Sequence, residues 1–283
     1  MGDLRLPGVA ALLTAGALLL TGCGTSASQV RLAAAPAITP ITTTPTPDTP
    51  TPAADTPAAT PPSAAAEAGP SAVAAPKKQL KLGAKGEAVM WLQNRLRGLG
   101  YRPGKADGRY GGSTLTAVWA FQKVNGIRPT STIAKRTWTA LENPRTPKIL
   151  VKNGRPTRAE VNLTKQIMVL YVGGQVKLIT HISSGSGVPY CETATWQGKT
   201  QRFCGSATTP TGDFKTTWRA KGWHRSYLGQ LYNPIFFNGG IAFHGALSVP
   251  LYPASHGCVR MPMNVAVELP GLLGKGVPVH VRR

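Results

Sequence analysis

Acidic residues are scarce in this sequence. It has 11 Asp and Glu against 32 Lys and Arg, which gives a formal net charge of +21. A charge of this size first suggests a nucleic-acid ligand. The basic residues are spread over residues 77–283, however, and no RNP, zinc-finger or basic-helix pattern accompanies them. The charge therefore favours an anionic polymer or a membrane surface as partner and argues against nucleic acid.

A long hydrophobic segment is also missing from the N-terminus. The apolar run from Val9 to Leu20 is too short to span a bilayer, which takes about 20 residues, but it has the length of an export-signal core. It leads into LTGC, which resembles the lipobox of bacterial lipoproteins. We therefore predict a signal peptide over residues 1–22, lipidation of Cys23 and an extracytoplasmic location at the membrane face or cell wall. A secretory signal with a chance cysteine is the alternative.

Cysteines number only four. If Cys23 carries lipid, an exported chain is expected to pair the others where it can. Cys191 and Cys204 are predicted to form a disulfide that closes a short loop, a crosslink worth about 3 kcal/mol in the chain-entropy model. Cys258 is then left unpaired. A free thiol in an oxidising compartment indicates a chemical role.

Large apolar side chains are nearly absent from residues 34–76, where eleven residues are Pro and most of the others are Ala or Thr. Such a segment cannot bury a core. We predict a disordered, extended Pro/Thr/Ala-rich tether over residues 23–76.

Residues 77–143 have helical periodicity. Apolar residues on one predicted helix face recur at steps of three and four: Val89, Leu92, Leu96 and Leu99. Gly100 ends this helix, Ser113 is the predicted N-cap of a second, and a third carries Trp138. The stretches LKLGAKGEAVMWLQNRLRGLGY, DGRYGGSTLTAVWAFQKVNGI and RTWTAL resemble the small peptidoglycan-binding domain found in many wall enzymes. The resemblance implies a three-helix domain with peptidoglycan as partner.

Residues 147–283 are mostly β in pattern. Two β-branched stretches, VNLTKQIMVLYV and QVKLITHISS, are separated by Gly173-Gly174, which predicts a hairpin. Further strands are predicted around FKTTW, IAFHG and VPVHV, and one helix from Met263 to Leu273. The expected fold is a β-sandwich or a partly open barrel.

Cys258 lies in the stretch SHGCVR, downstream of a second His-Gly pair, His244-Gly245. A metal site with His244 and His256 is one interpretation, although no close Cys-x-x-Cys or His-x-x-x-His spacing supports it. A buried inert thiol is another, but it leaves the two His-Gly pairs unexplained. A nucleophile explains both pairs, because a thiol needs a base or a cation nearby to react as thiolate.

SHGCVRM, the upstream HG and the stretch SSGSG…TPTGDF together resemble the catalytic domain of the L,D-transpeptidases, which has the YkuD-type fold. The resemblance runs from about Lys148 to the C-terminus. It implies that Cys258 attacks the L,D-amide of a donor stem peptide, releases D-alanine and passes the acyl group to an amine of an acceptor stem. It also implies that carbapenems acylate the cysteine. No cofactor and no metal are predicted.

The resemblance assigns further roles by position. His244 is the general base, oriented by the carbonyl of Gly245. The backbone N–H groups of His256, Gly257 and Cys258 form the oxyanion hole. The residues predicted to bind substrate are Arg260, Gly245 and Ser255. An internal salt bridge is the alternative for Arg260, and the Cys191–Cys204 loop is expected to cover the cleft. An L,D-carboxypeptidase and a non-catalytic wall-binding lipoprotein remain the alternative functions.

Overall fold

The structure is a computed structural model that describes residues 74–283. The predicted signal peptide, the lipidation at Cys23 and the tether up to residue 73 lie outside the described residues. Within residues 74–283, no helix has both the length and the apolar character needed to cross a membrane.

Three helices form the first domain: α1 (Glu87–Gly98), α2 (Gly112–Val124) and α3 (Lys135–Glu142). The predicted inward face of α1 is confirmed, since Val89, Leu92 and Leu96 are fully buried and Leu99 is partly buried against the same core. In α2, Val118 and Phe121 are fully buried. Gly100 follows α1 with φ +87°, the left-handed conformation that ends helices and suits glycine.

The predicted N-cap of α2 is wrong. The helix begins at Gly112 with Gly111 as N-cap, so Ser113 lies in the first turn. The N–H of Leu115 donates to the carbonyl of Gly111 at 2.9 Å, so the first helical turn already includes Ser113. The buried hydroxyl of Thr114 anchors this turn, because it donates to the Pro103 carbonyl and accepts from the Gln93 amide, both at 3.0 Å.

The second domain is mainly β. Its elements are β1 (Arg158–Asn162), β2 (Ile167–Val172), β3 (Gln175–His181), β4 (Pro189–Trp196), β5 (Lys199–Ser206), β6 (Gly212–Lys215), β7 (Trp223–Ser226), β8 (Gly229–Asn238), β9 (Ile241–Gly245), β10 (Val259–Met261), α4 (Met263–Leu272) and β11 (Pro278–Arg282). A five-stranded sheet has the order β3-β2-β1-β11-β6, a four-stranded sheet the order β10-β9-β8-β7, and β4 pairs with β5 alone. The two larger sheets share one apolar core, so the predicted sandwich is confirmed.

Two details of the β domain differ from the sequence interpretation. The stretch VNLTKQIMVLYV is not one strand, because the chain turns between β1 and β2 at Gln166, which has φ +50°. The predicted turn at Gly173-Gly174 is confirmed, since both glycines have positive φ and join β2 to β3. The segment between Cys191 and Cys204 is not a loop but the hairpin β4–β5.

Candidate active site

The two central residues of the predicted site lie on β9 and on the loop that leads into its parallel neighbour β10. In the register of β9 and β10, His244 is opposite Arg260, and Cys258 directly precedes β10. Phe243 and Val259 point into the sandwich core. Because side chains alternate along a strand, His244, Cys258 and Arg260 project to the other side, where all three line one cleft of about 900 Å³.

The imidazole of His244 is held in one tautomer. Its Nδ1 lies 2.9 Å from the carbonyl oxygen of Gly245, which can only accept, so Nδ1 carries the proton and Nε2 has a free lone pair. Burial lowers the pKa of His244 to about 4; the hydrogen bond to Gly245 opposes this shift and the charge of Arg260 adds to it. His244 is therefore a neutral base at ordinary pH.

Gly245 has room for no side chain. A Cβ at this position would lie 2.8 Å from the Cβ of Ala266 and 3.0 Å from the sulfur of Met263, both on α4. The close approach of α4 keeps the carbonyl of Gly245 in place beside His244. This packing explains the glycine in the His-Gly pair.

Cys258 is half-buried and is the free cysteine among residues 74–283. Burial raises its pKa, while a backbone hydrogen bond from Ala242 and the charge of Arg260 oppose the shift. Its Sγ lies 3.6 Å from the carbonyl oxygen of Gly240 and donates to it. The resting group is thus a thiol, and it needs a base before it can attack.

The loop before Cys258 is fixed by the hydroxyl of Ser255. This hydroxyl accepts from the N–H of Gly257 at 3.0 Å and donates to the carbonyl of Cys258 at 2.5 Å. The predicted oxyanion role of the Gly257 N–H is therefore not supported, because that group is directed at Ser255. Ser255 also lines the cleft, but its hydroxyl serves the loop, which argues against the predicted contact with substrate.

Gly257 itself needs the conformation that glycine allows. Its φ is +132°, and a Cβ would lie 3.0 Å from the carbonyl oxygen of Thr208. The hydroxyl of Thr209 donates to the carbonyl of Gly257 at 2.6 Å and accepts from the N–H of Gly185 at 2.8 Å. Thr209 of TPTG and Gly185 of SSGSG thus support the SHGC loop through hydrogen bonds. The sequence motifs alone did not indicate this role.

The cleft is covered on one side by the hairpin β4–β5. The predicted disulfide between Cys191 and Cys204 is confirmed and joins the two strands. Several aromatic side chains line the cleft: Tyr190, Trp196, Trp218, Trp223, Tyr227 and Phe236. His224 lines it too. No sequence motif includes Tyr190 or Glu192, and Glu192 contacts His256 from the hairpin.

The metal interpretation of Cys258 requires a cluster of ligands. Across residues 74–283, the structure places no three His, Cys, Asp or Glu side chains together so that they could hold a metal ion.

Comparison with known proteins agrees with this geometry. Residues 156–281 match the family of L,D-transpeptidase catalytic domains, and residues 85–141 match a peptidoglycan binding domain. A crystal structure of an L,D-transpeptidase from Xylanimonas cellulosilytica is 38% identical, covers 72% of this chain and 98% of its own, and superimposes with a TM-score of 0.64.

Two further solved structures are more distant. An L,D-transpeptidase from Stackebrandtia nassauensis is 24% identical over 72% of this chain and 95% of its own, with a TM-score of 0.39. The catalytic domain of the Enterococcus faecium L,D-transpeptidase is 26% identical over 44% of this chain and 96% of its own, with a TM-score of 0.32.

Fold, site and relatives together define a peptidoglycan-modifying acyltransferase. The chain belongs to the L,D-transpeptidase family, with a YkuD-type catalytic domain preceded by a peptidoglycan-binding domain.

Proposed function

We propose that this protein cross-links peptidoglycan by L,D-transpeptidation through a thioester on Cys258. The observation that carries the proposal is a neutral base and a thiol that line one cleft. His244 donates through Nδ1 to Gly245, which leaves the lone pair on Nε2, and Cys258 lines the same cleft from the residue before β10. Such a pair supports covalent acyl transfer in two steps.

The first step acylates the enzyme. Nε2 of His244 takes the proton of the Cys258 thiol, and the sulfur attacks the carbonyl of the L,D-amide in the donor stem. The backbone N–H groups of His256 and Cys258 are the remaining donors for the oxyanion. When the tetrahedral intermediate collapses, the C–N bond breaks, D-alanine leaves as an amine, and the proton on His244 goes to that amine.

The second step releases the acyl group. An amine of the acceptor stem gives a proton to His244 and attacks the thioester carbonyl. The C–S bond breaks, and the Cys258 thiolate recovers a proton from His244. The product is an amide between two stems. With water instead of the amine, the same site would act as an L,D-carboxypeptidase.

Arg260 is proposed to bind a carboxylate of the donor stem. Its side chain lines the cleft beside His244. The alternative of an internal salt bridge has no support in residues 74–283, where the ion pairs involve other arginines. A fixed guanidinium suits a carboxylate because it can donate two parallel hydrogen bonds.

The cellular setting is part of the proposal. An export signal, a lipid at Cys23 and an extended tether over residues 23–76 would place the catalytic domain in the wall, outside the cytoplasm. The match of residues 85–141 to a peptidoglycan binding domain and the net charge of +21 support an anionic wall as the site of action.

Intact-protein mass spectrometry tests the reaction. Incubation with a tetrapeptide stem is expected to add one tripeptide acyl group, with D-alanine released, and the Cys258→Ala variant should show no adduct. A cross-linked dimer of stems indicates transpeptidation, and free tripeptide alone indicates carboxypeptidation. A carbapenem should add one covalent mass to the wild type only. Turnover or labelling of Cys258→Ala at a rate within about tenfold of wild type would contradict the proposal.

A further inference from the structure

The disulfide hairpin β4–β5 presents one defined face to the cleft. Glu192 is opposite Phe203 and Tyr190 is opposite Gly205, while Cys191 and Cys204 form the pair between them. Opposed residues of an antiparallel pair share a face, and neighbouring pairs alternate. Tyr190, Glu192 and Phe203 therefore lie on one face of the hairpin, and the disulfide lies on the other.

This inner face contacts the catalytic loop through His256. Oε1 of Glu192 lies 2.7 Å from Nε2 of His256. The ring of Tyr190 meets the imidazole edge-on, with the ring centroids 4.8 Å apart. Gly205 makes this possible, because a Cβ there would lie 2.9 Å from the hydroxyl oxygen of Tyr190.

The same face contacts a second wall of the cleft. Phe203, which is opposite Glu192, stacks on Tyr227 with the ring centroids 4.3 Å apart and the planes inclined by 18°. Tyr227 follows β7, and Tyr190, Tyr227, His256 and Cys258 all line the cleft. The hairpin thus bridges the cleft from the Cys258 loop to the β7–β8 turn.

His256 connects the hairpin to the proposed oxyanion site. The backbone of the preceding residue, Ser255, is fixed because its N–H donates to the Ser184 carbonyl at 3.0 Å. The side chain of His256 is fixed by its contact with Glu192. Its backbone N–H is one of the two remaining donors for the oxyanion, so the orientation of this residue bears on acylation.

We propose that Glu192 is a positioning residue that acts through His256. Its carboxylate orients the His256 peptide toward the oxyanion and keeps the hairpin closed over the bound donor stem. This inference rests on the proposed acyl transfer. The side chains of Glu192 and His256 are 47% and 31% exposed, and exposed ion pairs stabilise a fold little. The effect of removing the carboxylate should therefore appear in acylation rather than in stability.

The test compares two reactions of the same thiol in the full chain. Acylation by a tetrapeptide stem uses the oxyanion donors and the closed cleft, whereas alkylation by iodoacetamide uses neither. We expect Glu192→Ala to slow acylation at least about tenfold, since small misplacements of reacting groups cost rate steeply. Alkylation should stay within about twofold of wild type or become faster, and the melting temperature should stay within about 2 °C.

Two further variants sharpen the test. Glu192→Gln keeps an oxygen that can accept from His256, so it should recover most of the acylation rate. Thr193→Ala alters the adjacent exposed residue on the outer face and is the matched control, which should behave as wild type. In a double-mutant cycle, His256→Ala combined with Glu192→Ala should acylate no more slowly than His256→Ala alone.

The outcomes separate this inference from the proposed function. If wild type forms no acyl-enzyme, the proposed function fails. If wild type is acylated and Glu192→Ala is acylated equally fast, the positioning role of Glu192 is wrong. Equal slowing of acylation and alkylation, with a lower melting temperature, would also overturn it in favour of a purely structural contact.

Discussion

At the scale of single residues, the site holds its two reacting groups uncharged. Burial raises the pKa of Cys258 and lowers that of His244 to about 4. A pre-formed thiolate–imidazolium pair, which would need the opposite shifts, is therefore not the resting state. In the proposed mechanism, proton transfer from Cys258 to His244 therefore belongs to the acylation step.

The depressed pKa of His244 predicts an unusual pH profile. The pH dependence of kcat/KM reports groups of the free enzyme. Because His244 must be neutral to act as base, kcat/KM for donor acylation should fall only as the pH drops through about 4, not through 6.5. Circular dichroism at each pH controls for unfolding.

A variant of Arg260 tests the cause of the low pKa of His244. The charge of Arg260 contributes to the low pKa of His244. In Arg260→Gln, the midpoint of the acid limb should therefore move to higher pH, independently of any rise in KM from weaker donor binding. A wild-type midpoint near 6.5 would show that burial does not control the ionisation of His244.

The residues that the sequence could identify are those carried by short motifs. Cys258 and His244 belong to SHGC and HG, whose residue types already indicate a thiol and a base. Thr209 and Glu192 contact Gly257 and His256 from 48 and 64 residues away. Such partners are set by how the strands pair, which no local pattern contains.

At the scale of elements, β2 shows what periodicity does and does not reveal. Its sequence, IMVLYV, is apolar throughout, and all but its last residue are buried. Met168 and Leu170 face the sandwich core, and Ile167, Val169 and Tyr171 pack in the core of the helical domain. A continuous apolar run indicates burial on both faces, so this second layer was open to prediction from the sequence.

The hairpin β4–β5 is the opposite case. Its residues are mostly exposed and polar, so the alternation that marks a half-buried strand is weak. The sequence between Cys191 and Cys204 therefore has the pattern of a loop. The pairing is fixed instead by backbone hydrogen bonds, the disulfide and the contacts of the inner face.

The TPTG segment gives a prediction at this scale. Thr209 is buried, and its hydroxyl satisfies the carbonyl of Gly257 and the N–H of Gly185. Thr209→Val keeps the shape but leaves both groups unpaired, which should cost about 1–3 kcal/mol of unfolding free energy. Acylation should also slow, because the Cys258 loop loses its brace.

Urea denaturation measures the change in stability. Thr208→Val is the matched control, since Thr208 is exposed and its hydroxyl contacts only Ser206 among the described side chains. That variant should unfold like wild type. If both threonine variants lost the same stability, Thr209 would not be the brace of this loop.

At the scale of the whole molecule, the helical and β domains share buried surface. The backbone N–H of Ile179 in β3 donates to the Gly100 carbonyl at 2.9 Å. The guanidinium of Arg102 forms a two-point ion pair with Glu268 on α4, at 2.5 and 2.8 Å. The helical domain and the catalytic domain thus form one connected structure, and we expect residues 77–283 to unfold cooperatively.

A buried lysine lies in this junction. Nζ of Lys123 on α2 contacts Nδ1 of His181 at 2.8 Å and donates to the Gln166 carbonyl at 3.1 Å. Nε2 of His181 lies 3.0 Å from the carbonyl of Val249, in the segment between His244 and Ser255. Since that carbonyl only accepts, Nε2 carries the proton and Nδ1 accepts from Lys123. One chain of hydrogen bonds therefore runs from the helical domain to the segment beside the cleft.

The ionisation of Lys123 can be detected through the pH dependence of the unfolding free energy. Burial lowers its pKa from 10.5 to about 7. Between these values the unfolded chain binds a proton that the folded chain does not, so Lys123 makes stability rise with pH, by at most about 1.4 kcal/mol per pH unit. The contribution is complete above the unfolded pKa and is lost as the pH falls to about 7.

In urea denaturation from pH 7 to 9.5, the unfolding free energy of wild type should rise more steeply with pH than that of Lys123→Met. Lys105→Met, which removes an exposed lysine of the same domain, should keep the wild-type dependence. Parallel curves for wild type and Lys123→Met would mean that Lys123 remains charged in the folded protein and that burial at the junction does not control it.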